Sequence, residues 1–254
     1  MGSEMCIRDS YAAGGDTWFS PAMMRKNDWS QGTYEYLTII HEIGHALSLA
    51  HTHDGHEMPA AFDDVRYTIM SYNNNDYQIA RWMNGELVHY GAYTPMAYDI
   101  QAAQYLYGAN PTTEFGATTY TFAPSTPRVQ SIYDTGGIDA IALSSFTLRS
   151  VVDLTPGASS TFGYTHHIDD NTAIAFGTII ENVFSGSGSD DVFGNDADNE
   201  IHAGAGDDLI AGVQAMTRCW GNPIKTRSLV EQGMITCLAV MGMTICRTHG
   251  EMIY

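Results

Sequence analysis

Three units repeating at a nine-residue period restrict what this chain can fold into more than any other feature. They read GSGSDDVF from Gly186, GNDADNEIH from Gly194 and AGAGDDLIA from Ala203. Each follows a template of spaced glycines, then an acidic position, then a large apolar one. Val192, Ile201 and Ile210 occupy the apolar position, and Asp190, Asn199 and Asp208 the acidic one. One such unit cannot bury its apolar residue alone, so successive turns must stack as a parallel β-roll. In that roll the side chains of Asp190, Asn199 and Asp208, with carbonyls of Gly186, Gly188, Gly204 and Gly206, are expected to bind Ca²⁺ between turns. Without calcium the stacked carboxylates repel, and the roll is expected to lose its order.

A second pattern carries chemistry. HEIGHALSLAH places His41, Glu42, His45 and His51 in one run. His41 and His45 are four apart, so on a helix they project from one face toward one point. The pattern predicts that helix over 34–49, with Leu37, Ile40, Ile43, Gly44 and Leu47 as its apolar stripe. His51 reaches the same point only if the helix ends near Ser48 and the chain swings back. Three imidazoles suit Zn²⁺, and Glu42, adjacent to the first, is free to act as a base toward an activated water. Downstream, Met70 lies in TIMSY at 68–72 and reads as a methionine in a tight turn after the three-histidine helix. His53 and His56 follow the third histidine closely; surface loop residues are the default reading for both, and His89 has no assigned role.

HEIGHALSLAH, then TIMSY, then TPMAYDIQAAQYLYGAN, then the glycine/aspartate repeats, in that order, resemble the serralysin-type metalloproteases, a metzincin group. The resemblance runs from about residue 15 to about residue 212. It implies a secreted, zinc- and calcium-dependent endopeptidase acting on protein or peptide substrates. His41, His45 and His51 would bind zinc, Glu42 would be the catalytic base, and Met70 would be structural. Tyr72 would be a further zinc ligand that moves off during turnover and stabilises the oxyanion. Asp134, Gly136, Gly137 and Asp139 resemble the family's DxGGxD calcium segment, and Glu181 a further calcium ligand. Two positions depart from the family: Ser48 stands where glycine is usual, and Ile179 where a threonine precedes that Glu. The resemblance also implies type I export with a C-terminal signal, and substrate binding as an extended peptide beside an edge strand.

The fold class expected is an α+β partial metzincin catalytic domain followed by an all-β parallel β-roll that binds calcium. Residues 1–10 contain EMCIRDS, which resembles a translated sequencing adaptor, and are read as non-native. Residues 11–108 are expected to form the partial catalytic domain. Within it GDTWF at 15–19 reads as a short strand or turn. A second helix opens at Thr94-Pro95 and stops at Gly108. Asp99 on that helix could hydrogen-bond the zinc-site region, but a solvated carboxylate is the default reading. Residues 109–212 turn to short β-branched runs with Thr, Ser and Gly and form the calcium-binding β domain, with repeats over about 185–212. Residues 213–254 hold three of the four cysteines and five of the thirteen methionines. Met216, Met234, Met243 and Met252 are spaced 18, 9 and 9, and in a shifted reading frame aspartates fall at positions 217, 235, 244 and 253. These continue the period of Asp190, Asn199 and Asp208, so 213–254 reads as a frameshifted tail. Against the family pattern, the segment upstream of the zinc helix is short, and the alternative reading is an inactive truncated piece that keeps only zinc and calcium binding.

Composition excludes other classes. A formal charge of −18 argues against a nucleic-acid partner. Residues 11–212 contain no cysteine, which argues against a disulfide scaffold. No apolar run is long enough for a membrane anchor. A monomer is expected.

Overall fold

The computed structural model describes residues 28–54, 58–73, 80–83, 86–212, 217–221, 227–230, 235–239, 245–248 and 251–253. The stretches 1–10 and 15–19, together with His56, Met216, Met234 and Met243, lie outside the described residues. The chain resolves into two compact units, Met1–Ala109 with Arg128–Ser131, and Asn110–Pro127 with Ile132–Tyr254. Among the described residues no helix is long and apolar enough to cross a membrane.

The first unit is built on two helices and a hairpin. Helix α1 spans Tyr34–Ala46, capped by Thr33, whose side chain accepts from the Tyr36 amide. It ends where the histidine spacing requires. The Leu49 amide donates back to the Gly44 carbonyl, 3.0 Å away, and Ser48 adopts φ +64°. A residue with a Cβ in that conformation costs roughly 1 kcal/mol relative to glycine. The apolar stripe differs from expectation. Ile43 and Leu47 are exposed, whereas His41, Glu42 and Gly44 are buried with Ile40. The inward face is the one that carries His41 and Glu42 of the histidine motif, so helical period and polarity part company here. A hairpin pairs Ala80–Met83 with Glu86–His89 antiparallel.

Helix α2 spans Ala97–Tyr107 and stops at Gly108, at φ +84°. It starts later than the Thr94-Pro95 signal suggested. The Asp99 carboxylate accepts from the Met96 amide at 2.8 Å and caps the helix from within its first turn. Thr94 is spent elsewhere: its hydroxyl oxygen accepts from the Ser131 amide at 2.8 Å.

The second unit is dominated by two parallel sheets. One contains Thr119–Thr121, Ala140–Ala142, Asn182–Phe184, Asn199–Gly204, Thr217–Gly221 and Ile235–Ala239. The other contains Val151–Asp153, Asp191–Phe193, Leu209–Gly212, Arg227–Val230 and Ile245–Thr248, with Glu251–Ile253 antiparallel at its edge. From Asn182 to Thr248 the chain alternates between the sheets, so strands pair with those eighteen residues on, as Asn182 does with Glu200 and Asp191 with Leu209. This is the coil of a parallel β-roll. Ile141, Val183 and Ile201 form one interior ladder, and Val152, Val192 and Ile210 the other, all fully buried. The three apolar repeat positions thus lie inside the roll. The strands beyond 212 keep the same register, pairing Thr217 with Asn199 and Ile235 with Thr217.

Truncating an interior rung should be costly. Ile201→Ala is expected to lower unfolding stability by about 2–5 kcal/mol in denaturant titrations with calcium present. Glu200→Ala, one residue away on the outer face, should change it by less than about 0.5 kcal/mol.

Candidate metal centres

The first unit brings together every residue of the histidine motif. Nε2 of His51 lies 2.9 Å from Nε2 of His45 and 3.3 Å from Nε2 of His41. The Tyr72 hydroxyl lies 2.8 Å from the same His51 nitrogen. The opposite ring nitrogens are all occupied. Nδ1 of His41 donates to the Ile69 carbonyl at 2.6 Å, and Nδ1 of His45 to the Leu49 carbonyl at 2.9 Å. Nδ1 of His51 donates to the Asp54 carboxylate at 2.8 Å. A carbonyl can only accept, so in His41 and His45 the proton sits on Nδ1 and the lone pair on Nε2. The Asp54 contact favours the same tautomer in His51, and that hydrogen bond holds the Asp54 carboxyl below its usual range. Three Nε2 lone pairs therefore converge on one point, an arrangement suited to a cation that takes nitrogen ligands.

Around this point the chain is closely fitted. Glu42, next to the first histidine on α1, is 3% exposed. Met70 is buried, and its sulfur lies where a Cβ on Gly44 would fall, so only glycine at 44 lets the turn approach the helix this closely. His51 also lies near His53 and Asp54 in a second possible cluster, but the side chains of His53 and Asp54 are 53% and 58% exposed. Asp54 is engaged through Nδ1 of His51, which leaves Nε2 for the histidine triad.

Asp99 is not the solvated carboxylate expected. It is 3% exposed and accepts from the Thr68 hydroxyl and from the amides of Ile69 and Met96. Its position in the first turn of α2 aims it at the loop that holds Met70. The contact to the loop that holds Met70 is the alternative that the sequence left open for Asp99, across 31 residues. Asp54 is the residue beside the histidines that sequence reasoning missed, and the His-x-x-Asp spacing of His51 and Asp54 is a usable signal for it.

The second unit gathers carboxylates. Asp134 accepts from the Tyr120 hydroxyl at 2.7 Å and from the Gly136 amide at 2.9 Å. Asp139 accepts from the Thr118 amide through Oδ1, while its buried Oδ2 has no hydrogen-bond partner. Glu181 accepts from the Asp139 amide at 2.7 Å. Gly136 and Gly137, at φ +150° and +141°, carry the loop between the two aspartates. Burial first, and the neighbouring acids second, push the Asp139 and Glu181 carboxyls up. Oxygen donors held this close, one of them orphaned, fit Ca²⁺. The departing residue Ile179 is exposed, and Thr178 beside it bonds both the amide and the carbonyl of Asp134.

The repeat positions divide into two kinds. Asp190 accepts from the Ser150 amide through Oδ1 and leaves a buried Oδ2 without a hydrogen-bond partner. Asp208 accepts from the Asp190 amide at 3.1 Å. The loops stack so tightly that a Cβ on Gly204 or Gly206 would collide with the carbonyl of Gly186 or Gly188. These residues fit a calcium site between turns. Asn199 is placed apart from them. Its amide donates to the Glu181 carbonyl and to Asn195, and Asn195 donates to the carbonyls of Leu154 and Ile180. In this loop amide hydrogens meet the carbonyls.

Comparison with known proteins gives a consistent picture. Residues 96–218 match the family model described as Peptidase M10 serralysin C terminal. The chain is 36% identical over 221 residues to serralysin of Proteus mirabilis, covering 77% of this chain and 43% of that protein. It is 38% identical over 189 residues to metallopeptidase AprA of Pseudomonas marginalis, covering 66% and 39%. It is 36% identical over 204 residues to serralysin C of Dickeya chrysanthemi, covering 71% and 40%. The chain therefore spans about two fifths of the length of these relatives.

Asp99 supplies a pH signature. Burial pushes its carboxyl from the ordinary 3.8 up to about 6, against the pull of Thr68, Ile69 and Met96. The folded state then holds the proton more tightly than the unfolded chain. The stability this contributes is present below about pH 4 and is lost as pH rises through about 6. Asp99→Asn removes it, so the thermal midpoint of the parent minus that of the variant should fall between pH 4 and pH 7. A flat difference would contradict the assignment.

Proposed function

We propose that this chain, a homologue of the serralysin metalloproteases, carries the zinc-binding core of an endopeptidase centre in its first unit and a calcium-binding β-roll in its second. The observation that carries the reading is the convergence of three Nε2 atoms whose rings are each pinned through Nδ1. Substrates would be proteins or peptides met outside the cell, cleaved by a secreted, monomeric enzyme. In this reading residues 11–108 are the catalytic remnant, 109–212 the calcium-binding part, and 213–254 a frameshifted tail.

A zinc ion held by His41, His45 and His51 would supply a Lewis acid that polarises the scissile carbonyl and acidifies a water. The chain's own groups do the remainder. Glu42 takes the proton of the attacking water and hands it to the departing amine. The Tyr72 hydroxyl donates a hydrogen bond to the oxyanion that forms as the carbonyl carbon becomes tetrahedral. Its position 2.8 Å from Nε2 of His51 keeps it within reach of that oxygen. Met70 supports the centre from below and takes no part in proton transfer. Asp134, Asp139 and Glu181, and Asp190 with Asp208, would hold Ca²⁺ and remove the repulsion among their own carboxylates.

The test is cleavage of a quenched fluorogenic peptide by the full chain with zinc and calcium. Glu42→Gln should lower kcat at least ~100-fold while bound zinc stays at the parental level. Tyr72→Phe should lower kcat about 100-fold with a smaller change in KM. Cleavage that survives Glu42→Gln would overturn the mechanism. Zinc binding without any Glu42-dependent cleavage would instead support the reading of a piece that retains metal binding alone.

A further inference from the structure

We propose that Asp99 is a positioning residue for the zinc ligand His41, acting along a relay through Thr68 and the Ile69–Met70 peptide. The proposal rests on the zinc reading of the histidine triad. It comes from three hydrogen bonds that run head to tail through one peptide group. The Thr68 hydroxyl donates to Oδ1 of Asp99 at 2.5 Å. The same hydroxyl oxygen accepts from the Met70 amide at 3.1 Å. That amide belongs to the peptide whose carbonyl is Ile69 O, and Ile69 O accepts from Nδ1 of His41 at 2.6 Å. The other Asp99 oxygen accepts from the amides of Ile69 and Met96, each at 2.8 Å, and so fixes the carboxylate against both the turn and α2.

Direction matters in such a chain. A carboxylate that accepts the Thr68 proton makes that oxygen a stronger acceptor. The oxygen then draws on the Met70 amide and polarises the peptide, so that Ile69 O becomes more negative. The carbonyl in turn draws on the His41 Nδ1 proton and makes Nε2 a better electron donor. Each step pushes the same way, and hydrogen bonds in series strengthen one another. Thr68, Ile69, Met70, Asp99 and His41 are all buried, where solvent does not damp the effect. The outcome resembles the direct carboxylate contact that His51 receives from Asp54, delivered to His41 across a peptide instead. His45 has only the Leu49 carbonyl.

A merely structural role would have Asp99 cap α2 and brace the turn, and the hydroxyl of Thr68 would then matter only as packing. Thr68→Val keeps the shape and deletes the hydroxyl. Thr68→Ser keeps the hydroxyl and deletes a methyl. Asp99→Asn keeps an acceptor for the two amides but turns a donor toward Thr68. Zinc dissociation constants of the calcium-loaded full chain, measured by competition with a chromogenic chelator, separate these cases. Thr68→Val and Asp99→Asn should each weaken zinc binding about 10-fold, within the range found for groups that orient metal ligands. Thr68→Ser should stay within about 2-fold of the parent, and the Thr68→Val/Asp99→Asn double variant should be little weaker than either single one, because both cut the same relay. If Thr68→Val does not fold, Asp99→Asn against Thr68→Ser carries the same comparison. Parental affinity in Thr68→Val or in Asp99→Asn, or equal losses in Thr68→Val and Thr68→Ser, would overturn the relay while leaving the zinc site standing. A parent chain that binds no zinc would overturn the zinc reading itself, and the relay with it.

Discussion

Electron pairs aimed at one another are the constraint on which both units depend. In the first unit they belong to three imidazole nitrogens, in the second to stacked carboxylates and glycine carbonyls. Bringing such atoms together opposes folding, and each unit surrounds them with fixed hydrogen-bond partners that leave little freedom to relax. Nδ1 of every histidine in the triad is tied to an acceptor, and nearly every carboxylate has one oxygen tied to a backbone amide. What remains uncommitted points inward. A divalent cation would reconcile this geometry, and architecture and chemistry would then have one origin.

The two centres use different means to hold their donors. The histidine centre relies on a helix, a reversed loop and a methionine turn that come from separate stretches of chain, with Gly44 permitting the closest approach. Its precision comes from packing and from buried hydrogen bonds across long sequence separations. The roll relies on repetition: the same loop recurs, and each copy is shaped by the one beneath it. Substituting one residue in the first kind of centre disturbs partners far away in sequence. In the second kind the disturbance stays with the adjacent turns.

This difference explains what could be read in advance. The interior positions of Val192, Ile201 and Ile210 follow from a period, and a period is local information. The convergence of His41, His45 and His51 follows from helix geometry plus one turn. The burial of Asp99 does not, because its partners Thr68 and Ile69 lie about thirty residues upstream and nothing around Asp99 announces them. The start of α2 differs from the Thr94-Pro95 signal for the same reason: the Asp99 carboxylate within the helix caps it, and Thr94 bonds Ser131 instead. The apolar stripe of α1 differs from the periodic expectation because the face with His41 and Glu42 is polar and buried at once, which hydrophobic periodicity alone cannot express. Asn199 shows a further limit. It occupies the acidic slot of the repeat in sequence, yet an amide brings its own hydrogens and so turns to neighbouring carbonyls.

The eighteen-residue coil has a consequence for how the second unit holds together. Between Asn182 and Thr248 the ladders that the strands form with one another join segments one coil apart, and only the first strand of each sheet there also pairs farther upstream, with Ala140–Ala142 and Val151–Asp153. Such an object behaves as a one-dimensional stack, with cohesion that adds up neighbour by neighbour. Its length can change by whole coils without altering any rung already formed. Loss of order should begin at an exposed end and advance inward, and the firmness of the terminal coil, more than the quality of the middle, sets how much of the stack stays assembled.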